Sequence, residues 1–134
     1  MSDWNEKIIK EFRENGGKVG GHFENSTLVL LHTTGARSGQ RRVNPLMCLP
    51  DGDRYVVVAS KAGAPTNPDW YHNILADPNV TVEFGPETFE ATARIAEEPE
   101  RTELYARMEA LSDAFSEYKK ISGRVIPVVV LERT

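Results

Sequence analysis

The chain has 134 residues and a formal net charge of -4, with 40% hydrophobic and 27% charged residues. That length supports one hydrophobic core, so a single domain over 1–134 is expected, and the composition excludes a disordered chain. No apolar run approaches a membrane span, nothing at the N-terminus resembles a secretory signal, the lone Cys48 excludes an internal disulfide, and the acidic balance argues against a general nucleic-acid binder. A reducing cytoplasm is the expected compartment.

Residues 3–15 read as an amphipathic helix. Trp4, Ile8, Ile9 and Phe12 fall on one face, Asp3 with Glu6 resembles a capping box, and Gly16-Gly17 ends the element. The apolar face suits packing, covering a ligand or touching a membrane surface. Its polar face is not strongly basic, which favours packing. Residues 18–21 connect. The glycines here do not form a dinucleotide fingerprint, because the spacing is wrong and no strand precedes them.

Residues 26–33 read as a first strand and 43–49 as a second, with Pro45 placing the second at an edge or a bulge. The stretch 33–42 that joins them holds two glycines, three arginines, three hydroxyls and no acid. Glycine permits backbone angles that turn several N–H groups toward one point, and arginine forks match phosphate or carboxylate oxygens in pairs. The stretch carries about +3, so the remainder of the chain carries about -7. A basic island on an acidic protein points to a small anionic ligand. A solvated hairpin loop with incidental arginines fits the same composition.

Asp51-Gly52 marks a turn, and 54–60 is a third strand, with Val56, Val57 and Val58 buried on both sides. The loop 61–68 follows. Asn67 is placed to cap a helix that starts at Pro68 and carries Trp70, Tyr71, Ile74 and Leu75. Val80, Val82 and Phe84 alternate with polar residues, as do Phe89, Ala91, Ala93 and Ile95 beyond a Gly85-Pro86 turn. Pro99 opens a helix whose stripe is Leu104, Met108, Leu111, Phe115 and Tyr118, ended by Gly123. Residues 125–131 form a last, apolar strand. Short connections predict antiparallel pairing. The expected class is α+β: about six mainly antiparallel strands in a closed or nearly closed barrel, with an N-terminal helix and packing helices.

His22, His32 and His72 are too scattered for a metal motif, so no metal is expected. No nucleophile elbow or phosphate loop occurs, and Cys48 between Met47 and Leu49 reads as a packed thiol. Two loops after strands remain, both rich in glycine, hydroxyl and cationic groups, the second leading into Trp70. They suit a ligand with a charged tail and a flat ring, with the chemistry carried by a cofactor. On spacing alone, Trp70 and Tyr71 read more readily as ordinary core residues.

The motifs LHTTGARSGQRRVNPL at 31–46, ASKAGAPTNPDWYHN at 59–73 and RVIPVVV at 124–130 resemble the signature of the deazaflavin-dependent nitroreductase family. The likeness runs from about residue 28 to the C-terminus. It implies a split β-barrel, coenzyme F420 and a cytoplasmic enzyme that reduces quinones, enones or nitro compounds. It implies that Arg37, Ser38, Gly39 and Arg42 meet the cofactor's phosphate and anionic tail, and that Val43, Asn44 and Pro45 line the entry. Ala59, Lys61, Gly63, Ala64 and Asn67 would surround the ring, with Trp70 supporting it. Ser60 and Tyr118 would face the substrate. The chain departs from the family at Ala36, where relatives can carry a cation, and at Met47, where an aromatic is common. One hydroxyl-bearing aromatic, Tyr118, stands where a nitroimidazole-activating relative has several.

The expected function is hydride transfer from reduced F420 to a small, electron-poor acceptor. An FMN-dependent split-barrel oxidoreductase and a non-catalytic F420 carrier are the alternatives, as is a quinone reductase docked weakly on a membrane surface by its first helix. Monomer and homodimer are both open.

Overall fold

A computed structural model describes residues 3–20 and 27–134. The side chains of Asp3 and Trp4, the residue His22 and the predicted start of the first strand at Ser26 lie outside what is described. Helix α1 spans Asp3–Glu14. Strands β1 (Leu28–Thr34), β2 (Arg41–Met47), β3 (Leu49–Asp51) and β4 (Arg54–Val58) follow. A 3-10 turn at Lys61–Gly63 leads to α2 (Asp69–Ala76), then β5 (Asn79–Phe84) and β6 (Glu87–Ile95). Helices α3 (Glu100–Leu111) and α4 (Ala114–Ser122) precede β7 (Val128–Arg133).

Among the described residues, seven strands form one antiparallel sheet in the order β2-β1-β5-β6-β7-β4-β3. Its two outermost strands, β2 and β3, are joined through the single residue Cys48, whose N–H donates to Thr27 O at 2.8 Å. The sheet therefore curls until its ends meet at one corner. The six predicted strands become seven because the second bends at Cys48. Pro45 sits on β2, at the sheet edge, where its missing N–H breaks no ladder.

Period-two alternation divides the core. Val29, Leu31, Val57, Val80, Val82, Val129 and Leu131 pack with Trp70 and Ile74 of α2. Val56, Val58, Val128 and Val130 point the other way, under Leu104, Tyr105 and Met108 of α3 and Phe115 of α4. Leu28 and Leu30 receive Ile8, Ile9 and Phe12 of α1. Ile8, Ile9 and Phe12 of the apolar face of α1 are thus buried on the sheet. Arg13 reinforces this docking: its Nε and Nη2 donate to Glu83 at 3.1 and 2.8 Å, and His32 Nε2 lies 2.6 Å from the same carboxylate. The Arg13 bond holds Glu83 below the ordinary carboxylate range.

Several expected boundaries move. The predicted helix 99–123 is two helices, because Ser112 is extended (φ -157°, ψ 128°) and breaks the ladder. Tyr105 Oη, donating to Phe115 O at 2.7 Å, fixes the corner between them. Leu111, predicted for the buried stripe, is 55% exposed as a result. The last strand begins at Val128 instead of 125, leaving Val125 exposed. The third predicted strand ends at Val58 instead of 60. Cys48 is buried, and burial pushes its thiol up to about 12, as fits a packing residue.

Candidate functional site

The β1–β2 loop is shaped by its glycines. Thr33 pairs with Arg42 and Thr34 with Arg41. Gly35 N–H donates to Gln40 O at 2.8 Å, and Gly39 N–H to Gly35 O at 2.9 Å. A Cβ on Gly35 would lie 2.7 Å from Ser38 Oγ and 3.2 Å from Gln40 O, so only glycine allows this approach. Gly39 has φ +72°, a left-handed angle that glycine adopts without strain. Ser38 Oγ accepts from Gln40 N–H at 3.1 Å.

The loop is fastened to α2 by Asn73, a residue that sequence reading did not single out. Its side chain is buried; Oδ1 accepts from Ala36 N–H at 2.9 Å and Nδ2 donates to Thr33 Oγ1 at 3.1 Å. A cleft of about 790 Å³ lies between the loop, β2 and α2. Arg37, Arg41 and Arg42 line it against one carboxylate, Asp69. Ser38, Val43 and Asn44 line it too, whereas Pro45 does not. In β2, Arg42 and Asn44 share one face while Val43 and Pro45 share the other. The donor set, three guanidiniums and a hydroxyl, fits an anionic group held at the loop.

The second predicted loop does not line that cleft. Ala59 and Ser60 are buried, and Lys61 is exposed. Lys61 and Ala62 are left-handed (φ 49° and 54°), at a cost of about 1–2 kcal/mol each for residues with a Cβ. Gly63 follows with φ +86°, and a Cβ there would stand 3.4 Å from Tyr118 Cα and Ile121 Cβ of α4. This contact places Tyr118 beside the loop, its ring edge-on to Phe115 at 5.8 Å. Asn67 does not cap α2. Pro68 stands at the N-cap position, and Asn67 Oδ1 instead accepts from Arg124 Nη1 at 2.6 Å. Trp70 is buried in the core beside Ile74, so packing accounts for its position. His72 lines the arginine cleft, and His32 is held by Glu83. Among the described residues no group of His, Cys, Asp and Glu could hold a metal.

A curled antiparallel sheet closed at one corner defines a split-barrel fold, and the glycine-shaped cleft beside its first hairpin is lined by three arginines. The comparisons with known proteins place it further. The chain belongs to the F420H(2)-dependent quinone reductase family, whose family model matches residues 4–133. It is an oxidoreductase with coenzyme F420 as its cofactor. It is similar to an F420H(2)-dependent quinone reductase of Mycobacterium tuberculosis (strain H37Rv), 38% identical over 126 residues, covering 91% of this chain and 85% of the relative. Among solved structures it resembles an F420-H2 dependent reductase at TM-score 0.73 and 39% identity, covering 78% of this chain and 93% of the other. It also resembles a chain described as a domain-swapped dimer, at TM-score 0.75 and 35% identity, covering 97% and 98%.

Proposed function

We propose that the arginine cleft holds the anionic tail of F420 and that the loop 59–67 holds its ring, so that hydride passes to a quinone-type acceptor beside Tyr118. The observation that carries this reading is the cleft itself, with three arginines against one carboxylate in about 790 Å³. Arg37, Arg42 and Ser38 meet phosphate and carboxylates, with Arg41 next to them. Gly39 keeps the loop open to them, and Val43, Asn44 and Pro45 form the strand along which the cofactor enters. Ala59, Lys61, Gly63, Ala64 and Asn67 surround the ring. F420 supplies, when bound, a hydride from C5 of its deazaflavin. The protein's part is orientation, exclusion of water and polarisation of the acceptor. Tyr118 Oη or Ser60 Oγ donates a hydrogen bond to the acceptor oxygen as negative charge grows on it. Arg37 on the β1–β2 loop, Arg41 and Arg42 at the start of β2 and Lys61 on another loop are spread out, which suits a tail with several carboxylates better than the single phosphate of FMN.

The test is a panel of quinones, enones and nitroaromatics offered to the purified protein with F420 reduced and deuterated at C5. Label in an enone product, with proton exchange controlled, supports the reading. Tight FMN binding with rapid oxygen consumption and no response to F420 overturns it; F420 binding with no acceptor turned over makes the chain a carrier. In this reading the enzyme works in the cytoplasm as a homodimer, as light scattering will check. Helix α1 packs on the sheet, so membrane contact is not assigned to it. Among the described residues no helix is long and apolar enough to cross a membrane.

A further inference from the structure

The loop 59–67 is poorly supported by its own backbone. Two local bonds cross it, Gly63 N–H to Ser60 O at 3.0 Å and Ala64 N–H to Lys61 O at 3.1 Å. Two successive residues with side chains, Lys61 and Ala62, are held left-handed. Such a conformation persists only where the surroundings over-determine it. Gly63 packs on Tyr118 and Ile121 of α4, Ala59 N–H donates to Pro127 O at 2.9 Å, and the remaining polar support comes from one guanidinium. Arg124 Nε donates to Ala64 O at 3.1 Å and Nη1 to Asn67 Oδ1 at 2.6 Å. Nη2 is shared among Ala59 O at 2.9 Å, Thr66 O at 3.0 Å and Ser60 O at 3.3 Å. The five acceptors lie on both arms of the loop. Among the described residues Arg124 makes no ion pair, so its donors are all given to the loop. Arg124 also follows Gly123, the left-handed cap of α4, the helix that carries Tyr118. One side chain therefore ties the loop to the element bearing the proposed acceptor-side hydroxyl.

We propose that Arg124 is a positioning residue for hydride transfer: it locks the 59–67 loop in its left-handed form and fixes that loop against α4. The proposal rests on the reading that this loop holds the ring. It does not concern the arginine cleft, which is fastened separately through Asn73. A lysine keeps the charge but offers a point donor in place of a planar fork, so it cannot span five acceptors. Misplacing reacting groups by about 1 Å costs on the order of a hundredfold in rate.

The experiment compares wild type, Arg124→Lys and Arg124→Ala by two readouts. The first needs no cofactor: the rate of tryptic cleavage after Lys61 in the folded protein. The second is single-turnover hydride transfer at saturating reduced F420, alongside the F420 dissociation constant. Both variants should be cut faster at Lys61 and transfer hydride about ten- to a hundredfold more slowly, with F420 affinity within about threefold of wild type. Methylguanidinium should restore part of both properties to Arg124→Ala, and methylammonium should not. Wild-type cleavage and transfer rates in Arg124→Lys would overturn the proposal. So would losses of affinity, rate and unfolding temperature in proportion, which a purely structural role would give. If wild type itself fails to bind F420, the functional reading falls; unchanged cleavage at Lys61 would then sink the loop-locking role as well, and faster cleavage would uphold it.

Discussion

Replacing Asn73 with alanine tests how the arginine cleft is held. The residue is 7% exposed and its side chain makes two hydrogen bonds, one to Thr33 at the end of β1 and one to Ala36 in the β1–β2 loop. Each contributes about 1 kcal/mol net, and leaving the buried Thr33 hydroxyl without its donor adds about 1 kcal/mol more. Thr33 is fully buried in the intact protein, with this amide as its partner. The expected loss is about 2–3 kcal/mol. For 134 residues the unfolding entropy is roughly 0.28 kcal/mol/K, so the midpoint should fall by about 7–11 °C. F420 affinity should fall about tenfold, because Ala36 N–H no longer anchors the loop that carries Arg37 and Ser38. Thermal unfolding by circular dichroism and a fluorescence titration with F420 read the two effects. Thr33→Val in the same background supplies a double-mutant cycle, in which the two losses should overlap instead of adding. A midpoint shift below about 2 °C, or strictly additive losses, would refute the account of Asn73 as the fastening.

Arg42→Ala should weaken F420 binding by about 1.5–3 kcal/mol, and binding to wild type should weaken with added salt; a titration at two ionic strengths checks both. Tyr118→Phe should slow turnover of a quinone while leaving the F420 dissociation constant nearly unchanged; a collapse of affinity with normal turnover would put Tyr118 on the cofactor side. Arg13 holds the Glu83 carboxyl low in the folded protein. Between the depressed and the ordinary value the folded state binds fewer protons than the unfolded state, so this stability is present above the ordinary carboxylate range and lost as pH falls through the depressed value. Glu83→Gln should accordingly flatten the acid limb of a stability-pH curve, and an unchanged limb would refute that assignment.

Much of the fold was legible because its signals are local. Val80, Val82 and Phe84 alternate over five residues, and Pro45 announces an edge within its own strand. The arginine loop was legible because glycines and cations cluster in ten residues, and the family resemblance sharpened it. What escaped were interactions across long separations. Asn73 sits inside a helix, and its partners Ala36 and Thr33 are 37 and 40 positions away. Asn67 looked like a helix cap because its nearest neighbours suggested one, while its partner Arg124 is 57 positions distant. The break at Ser112 was hidden by an apolar stripe that continued in phase across it. The spacing of Trp70 favoured core packing, while the family resemblance implied ring support, and periodicity alone cannot separate the two.

The placement of β7 has a consequence for biosynthesis. It follows the other described strands in sequence, yet pairs on one side with β6 and on the other with β4. Until residues 128–133 leave the ribosome, β4 and β6 each present an open row of amides and carbonyls, the kind of edge that recruits other chains. Arg124 lies just before that strand, so the guanidinium that gathers the 59–67 loop reaches it at about the same moment. Nascent chains stalled before residue 124 should therefore display the arginine hairpin without a fixed ring loop. Chaperone dependence should end sharply once β7 has inserted, since that one strand closes both exposed edges.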